Sequence, residues 1–226
     1  MSNSELRQQA LSGITQANPA WVKLLGLCPL LAVSNSLANA LGLALASTLV
    51  LVGSNVTVAA LRAHIPSFAR LPVFMLIIAS FTTCAVLLLE AYAFGLYAKI
   101  ALFVQIIVTN CMILARVEQF ASRQSVPWAL LDALATALGF ALALIGLGLV
   151  RELLATGHIG LGLDALFGPS ASTWSLELLP AAIKIPIAAL PPGAFIVAGL
   201  LLGIGNAWQQ RQRSKQASDT EIRIKQ

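Results

Sequence analysis

Charge is scarce in this chain. Nine Asp and Glu and fourteen Lys and Arg make up 10% of its 226 residues, against about a quarter in an ordinary soluble domain. With 58% hydrophobic residues and a mean hydropathy of +0.84, the chain reads as an integral membrane protein. A spanning helix takes roughly 20 apolar residues, so about six spans with short loops use up the length and leave no room for a soluble catalytic domain. Histidine (two) and cysteine (three) are sparse as well. Cys28, Cys84 and Cys111 all lie in hydrophobic stretches without a CxxC pair, which excludes a secreted-type disulfide framework and a complete metal site. No phosphate-binding loop, dinucleotide fingerprint, nucleophile constellation or flavin-attachment motif is present. Residues 1–21 lack a basic region running into an apolar stretch and a small-residue cleavage site, so the first span is expected to remain in the mature protein. The basic residues behind the pI of 9.5 are scattered over loops and one tail, not clustered with aromatics. They read as topology signals and exclude a nucleic-acid face.

What is present is a series of apolar runs at residues 21–33, 37–61, 71–89, 100–115, 128–150 and 178–208. The first is too short: thirteen residues reach roughly 20 Å against a hydrocarbon core of ~30 Å. The fourth is marginal, closed in by Lys99 and Arg116 with Thr109 and Asn110 between them. With the N-terminus cytoplasmic, six crossings place Arg7, Arg62, Arg70, Arg116, Arg123, Arg211, Arg213, Lys215, Arg223 and Lys225 inside, ten of the fourteen basic residues. The positive-inside rule favours that orientation. Lys23, Lys99, Arg151 and Lys184 remain outside or within spans, and residues 151–177 form one sizeable external loop.

The decapeptide LANALGLALA at residues 37–46 matches LATALGFALA at residues 134–143 in eight of ten positions. Each follows a short segment bearing a cysteine and precedes a helix opening with Leu-Pro, at Leu71-Pro72 or Leu190-Pro191. Three spans per repeat is an odd number, so the second copy inserts upside down relative to the first. The expected fold is a single all-α transmembrane domain over residues 1–226. It comprises six segments in two inverted three-helix repeats (about 20–92 and 97–209), short or broken first and fourth segments, and a cytoplasmic tail at 210–226.

Both cysteine-bearing short segments, LGLCPLLAVSNS at residues 25–36 and IVTNCMILARVE at residues 107–118, carry helix-breaking residues: Pro29 after Cys28, Thr109 and Asn110 before Cys111. Irregular backbone at membrane depth is tolerated only where it is buried in protein or lines a cavity, and it marks binding sites. The two cysteines are therefore candidate ligands. The alternative is that they are small buried hydrophobes.

These segments, with LPPGAFIVAGLLLG at residues 190–203 and AYAFGLY at residues 91–97, resemble a paired family of membrane subunits. It comprises the Rnf (Rsx) ion-translocating electron-transport complex and the related sodium-translocating NADH:quinone reductase. The resemblance runs in matching order over nearly the whole chain, and its wording is that of the E-type Rnf subunit, not the A-type. It implies a six-helix, inverted-repeat subunit of a redox-driven ion translocase in the bacterial inner membrane, with both termini cytoplasmic. Its partners would be a homologous A-type subunit of opposite topology, the other subunits of the complex, and the bilayer. Cys28 and Cys111 would supply two thiolates to iron in an intramembrane 2Fe–2S cluster, the partner supplying two more. Such a cluster is held by four thiolates, and N–H groups freed at an interrupted helix help carry its negative charge. Ala115 stands where the family carries Gly, and Val117 where it carries Ala.

Asp132 is an acidic residue a few positions into an apolar helix. It is a candidate on the cation pathway, or else it reaches water or pairs with Arg116 or Arg123. Cys84, with no breaker beside it and no counterpart in the other repeat, reads as packing. Glu90 and Lys184 lie near helix ends or prolines, His158 is a loop residue, and Gly42, Gly146, Gly199 and Gly203 read as close helix packing. Two other classes of function compete with electron transfer: a small inverted-repeat solute transporter binding substrate at the broken segments, and a structural scaffold with inert cysteines.

Overall fold

The structure, a computed structural model, describes residues 25–159, 176–177, 190–205 and 207. A short helix α1, Leu27–Val33, leads into α2, Leu37–Leu61. A 3-10 turn, Ser67–Ala69, opens α3, Arg70–Tyr92. The next span is composite: α4, Phe94–Gln105, a 3-10 stretch Ile106–Thr109, α5, Cys111–Arg116, and a π-helical turn Val117–Ala121. α6, Val126–Thr156, and α7, Pro191–Gly205, complete the helices among the described residues. β1, His158–Ile159, and β2, Leu176–Glu177, pair antiparallel, His158 opposite Glu177. Among the described residues four helical stretches are long and apolar enough to cross a membrane: Leu37–Leu61, Ser67–Tyr92, Phe94–Ala121 and Val126–Thr156.

Proline sets the helix starts. Pro29 and Pro72 are the third residues of α1 and α3, Pro127 the second of α6, and Pro191 and Pro192 open α7. First-turn N–H groups have no intrahelical partner, so an imino residue loses nothing there. Ser36 caps α2 by accepting the Asn39 N–H at 3.3 Å, and α6 stops at Gly157, whose φ of 74° favours glycine.

α2 and α6 form the centre and make the most extensive helix contact among the described residues. Many of their buried residues are small: Ala38, Ala40, Gly42, Ala44 and Ala46 on one, Ala133, Ala137, Gly139, Ala143 and Gly148 on the other, and Gly148 meets Ala40 directly. Small side chains let the two backbones approach and gain dispersion contact. The helices run antiparallel. At one end the carboxylate of Glu152 accepts the Leu37 N–H, and at the other Arg62 Nη1 donates to the Arg123 carbonyl at 3.1 Å. The loops at residues 62–66 and 122–125 thus share one end of the bundle, opposite the α1–α2 turn. α3 is peripheral, with 22% of its most apolar window buried against 56% for α2 and α6.

Several expectations from the sequence change. The second run coincides with α2, but the fourth is broken without being short, extending over the 28 residues Phe94–Ala121. Its helix passes through Lys99, whose side chain is exposed, and through Arg116, whose charge is met by an acid. α6 continues to Thr156, so Arg151 and Glu152 are buried helical residues and no part of an external loop. Of the predicted close-packing glycines Gly42 fits, since a Cβ there would lie 2.5 Å from Leu96 Cδ2, whereas Gly146, Gly199 and Gly203 have nothing within 4 Å among the described residues. Lys23, Lys184, the 210–226 tail and the first part of the sixth run, residues 178–189, lie outside the described residues.

Candidate functional site

α1 begins where the chain makes a left-handed turn at Gly26, φ 77° and ψ 20°. Any side chain would be strained there, and it would crowd its neighbours. A Cβ would stand 3.0 Å from the Phe140 ring, 3.2 Å from Asn110 Oδ1 and 3.4 Å from Met112 Cβ. Gly26 is thus wedged between the middle of α6 and the break in the composite span. That break is made by Asn110, whose backbone is extended (φ −64°, ψ 111°) and whose Oδ1 accepts the Met112 N–H at 3.0 Å, capping α5. Pro29 follows the interruption as a first-turn residue and does not cause it.

The two breaks meet directly. The Gly26 N–H donates to Cys111 Sγ at 3.1 Å, joining segments 85 residues apart. Cys28 is the second residue of α1 and Cys111 the first of α5. Their neighbours Pro29, Leu30, Met112 and Ile113 are buried, while both thiols are exposed on the surface of the chain. Both cysteines are thus exposed residues set beside buried neighbours, which does not match the reading of either as a small buried hydrophobe. Cys84 also departs from expectation. It is exposed on the peripheral α3, not packed inside the chain. No interruption accompanies it: the Thr82 and Thr83 hydroxyls donate back to the Ile78 and Ala79 carbonyls of an unbroken helix.

In chemical type these residues match half of an iron–sulfur site: two exposed cysteines would supply two of the four ligands such a cluster takes, and one of the sulfurs already accepts a main-chain N–H. Among the described residues no group of three or more His, Cys, Asp or Glu is placed to hold a metal. The remaining ligands would therefore come from outside these residues.

Asp132 is 1% exposed, and its Oδ1 accepts from Arg116 Nη1 at 3.1 Å. The pairing with Arg116 is thus realised, and Arg116 is a buried helical residue where a loop charge marking the cytoplasmic side was expected. Arg116 lies five residues beyond Cys111, about 8 Å along the helix axis, and is followed at once by the π-helical turn. Such turns recur at functional sites. Glu90 is exposed in the last turn of α3, and His158 lies in the two-residue strand after α6.

A second pair of buried charges is not foreseen from the sequence. Arg151, 1% exposed, donates to the Leu31 carbonyl at 3.0 Å, to Ser34 Oγ at 2.9 Å and to the Leu190 carbonyl at 3.4 Å. It thereby satisfies an orphan carbonyl at the end of α1, while Glu152 takes the Leu37 N–H at the start of α2. The only signal in the sequence is an Arg-Glu dipeptide directly after an apolar run, and by itself it reads as the start of a loop.

The membrane-subunit model "Rnf-Nqr subunit, membrane protein" matches residues 6–202 of the chain. A curated relative from Pseudomonas paraeruginosa, named as the E subunit of an ion-translocating oxidoreductase complex, is 48% identical over 91% of this chain and 86% of its own length. Proteins of the same description from Vibrio parahaemolyticus and Shewanella baltica are 45% and 46% identical, covering 98% and 93% of this chain and 96% and 90% of their own.

Proposed function

The chain belongs to the Rnf-Nqr family of membrane subunits, and on that premise we propose that it is the E-type membrane subunit of an ion-translocating oxidoreductase complex. In that complex Cys28 and Cys111 supply two thiolates to a 2Fe–2S cluster. A homologous A-type subunit, inserted in the opposite sense, supplies the other two. The cluster, when bound, supplies one-electron transfer within the membrane, and electron flow is coupled to cation movement. This chain carries no complete active site of its own. Its residues present two sulfurs on an outward face, hold one of them with a main-chain N–H, and fix the spacing of both through the packed turn at Gly26 and Asn110.

The observation that carries the reading is the meeting of the α1 start and the break in the composite span at the Gly26 to Cys111 contact, with both cysteines exposed. The inverted six-span arrangement draws support from the matched decapeptides, which lie on α2 and α6, helices that run in opposite directions. A cytoplasmic location for both termini, in the inner membrane of a bacterium, draws support from the shared end of the basic loops at residues 62–66 and 122–125. Asp132 belongs to the proposal as a candidate group on the cation path. Its ion pair with Arg116 is the structural role from which that must be told apart.

The test is iron content and the EPR signal of the purified complex. Cys28→Ser and Cys111→Ser are each expected to abolish the shared cluster, because a serine oxygen replaces thiolate poorly at iron. Cys84→Ser leaves it intact, and this chain expressed alone carries no iron. Full cluster signal in either the Cys28 or the Cys111 variant, or a stoichiometric cluster in this chain on its own, overturns the shared site.

A further inference from the structure

We propose that Gly26 is a positioning residue for the electron-transfer centre: its main-chain N–H holds the Cys111 sulfur and raises the reduction potential of the cluster bound there. This rests on the cluster reading above and goes beyond it, because Gly26 is no ligand and belongs to the segment of the other cysteine. Three features converge. The donor is already placed, 3.1 Å from Cys111 Sγ. The conformation that aims it, φ 77°, is one that L side chains rarely adopt. A Cβ there would crowd Phe140 Cε2, Asn110 Oδ1 and Met112 Cβ at 3.0, 3.2 and 3.4 Å, so a side chain has to displace these neighbours and the donor with them. Asn110 Oδ1 meanwhile takes the Met112 N–H, which keeps the turn before Cys111 rigid and its sulfur in register with the donor.

The electrostatic consequence has a definite sign. A hydrogen bond to sulfur strengthens as negative charge on that sulfur grows, so it stabilises the reduced, more negative state over the oxidised one, and hydrogen bonds to sulfur are among the factors that set cluster potentials. Lengthening the contact therefore shifts the potential in the negative direction. Because the donor lies two residues before Cys28, the contact also couples the two thiolates mechanically. A displacement of the α1 start moves both.

The experiment uses the assembled complex with glycine selectively labelled with nitrogen-15. Pulsed EPR of the reduced cluster is expected to detect coupling to a glycine main-chain nitrogen, and Gly26→Ala is expected to lose that coupling while its midpoint potential moves negative and its iron content is kept. Gly26→Ala combined with Phe140→Leu removes the ring that an alanine Cβ would meet. It serves where the single variant does not assemble. Absence of any glycine nitrogen coupling in the unaltered complex overturns the assignment without recourse to a variant. An unchanged potential and coupling in a cluster-bearing Gly26→Ala complex overturns it as well. Failure of the cluster reading looks different: the unaltered complex then has no cluster signal that depends on Cys28 and Cys111.

Discussion

Arg116 and Asp132 meet across 3.1 Å inside the apolar body of the chain, at the junction of α5, the π-helical turn and α6. Two charges removed from water at such a depth stabilise little as a pair, but each becomes costly without the other. Arg116→Met and Asp132→Leu are each expected to destabilise the assembled protein by about 3–5 kcal/mol, and the two together by clearly less than the sum. Thermal unfolding of the purified complex in detergent reads this. Additive losses in the double variant would show that the two side chains do not act together.

The same carboxylate carries the proposal for ion coupling. In complexes that retain their cluster, Asp132→Asn is expected to lower coupled ion transport in proteoliposomes more than it lowers cluster content, because the amide keeps the shape and removes the charge. Unchanged transport per intact complex at saturating ion concentration would leave Asp132 with the ion pair alone.

Arg151 ties the end of α1 to the end of α6. Arg151→Met is expected to leave the Leu31 carbonyl and the Ser34 hydroxyl without that donor, at a loss of about 1–3 kcal/mol. Since α1 carries Cys28, the variant should lose cluster absorbance on mild heating at a temperature where a Glu90→Gln complex keeps it, Glu90 being exposed. Equal thermal loss in both would remove Arg151 from any role in holding α1.

Gly148 faces Ala40, whose Cβ would lie 3.0 Å from a new methyl group, close to the Ser36 carbonyl. Gly148→Leu is expected to reduce the membrane abundance of the chain several-fold through overpacking of about 1–3 kcal/mol. Gly146→Leu, whose site has nothing within 4 Å, leaves insertion and abundance unchanged. Immunoblots of membranes check both, and equal abundance of the two variants would contradict the close α2–α6 approach.

Reporter fusions test the topology. Because Arg62 reaches the Arg123 carbonyl at one end of the bundle, that end carries both basic loops, and a fusion after Gln210 is expected to be active only with a cytoplasmic reporter. Periplasmic activity there would reject the orientation and the even number of crossings together.

Composition alone determined that this chain lives in a bilayer, and hydropathy located α2 to the residue, because a long uninterrupted apolar run bounded by polar residues has only one stable state in lipid. Asn110 located the break in the composite span, and the wording around Cys28 and Cys111 carried the family. Tertiary structure decided the rest. Whether Arg116 marks a loop or Arg151 begins one depends on Asp132 sixteen residues away and on Ser34 at a separation of 117, and a charge is tolerated inside a helix only when such a distant partner arrives. Hydropathy windows read each residue with its neighbours in sequence, so they cut the fourth and fifth runs at those charges. The contact between Gly26 and Cys111 was equally out of reach. Pro29 stands out in the sequence as the breaker beside Cys28, yet a first-turn proline is compatible with a helix. The residue that interrupts the chain is a glycine whose φ of 77° is held by Phe140, Asn110 and Met112, side chains brought beside it only when the helices pack.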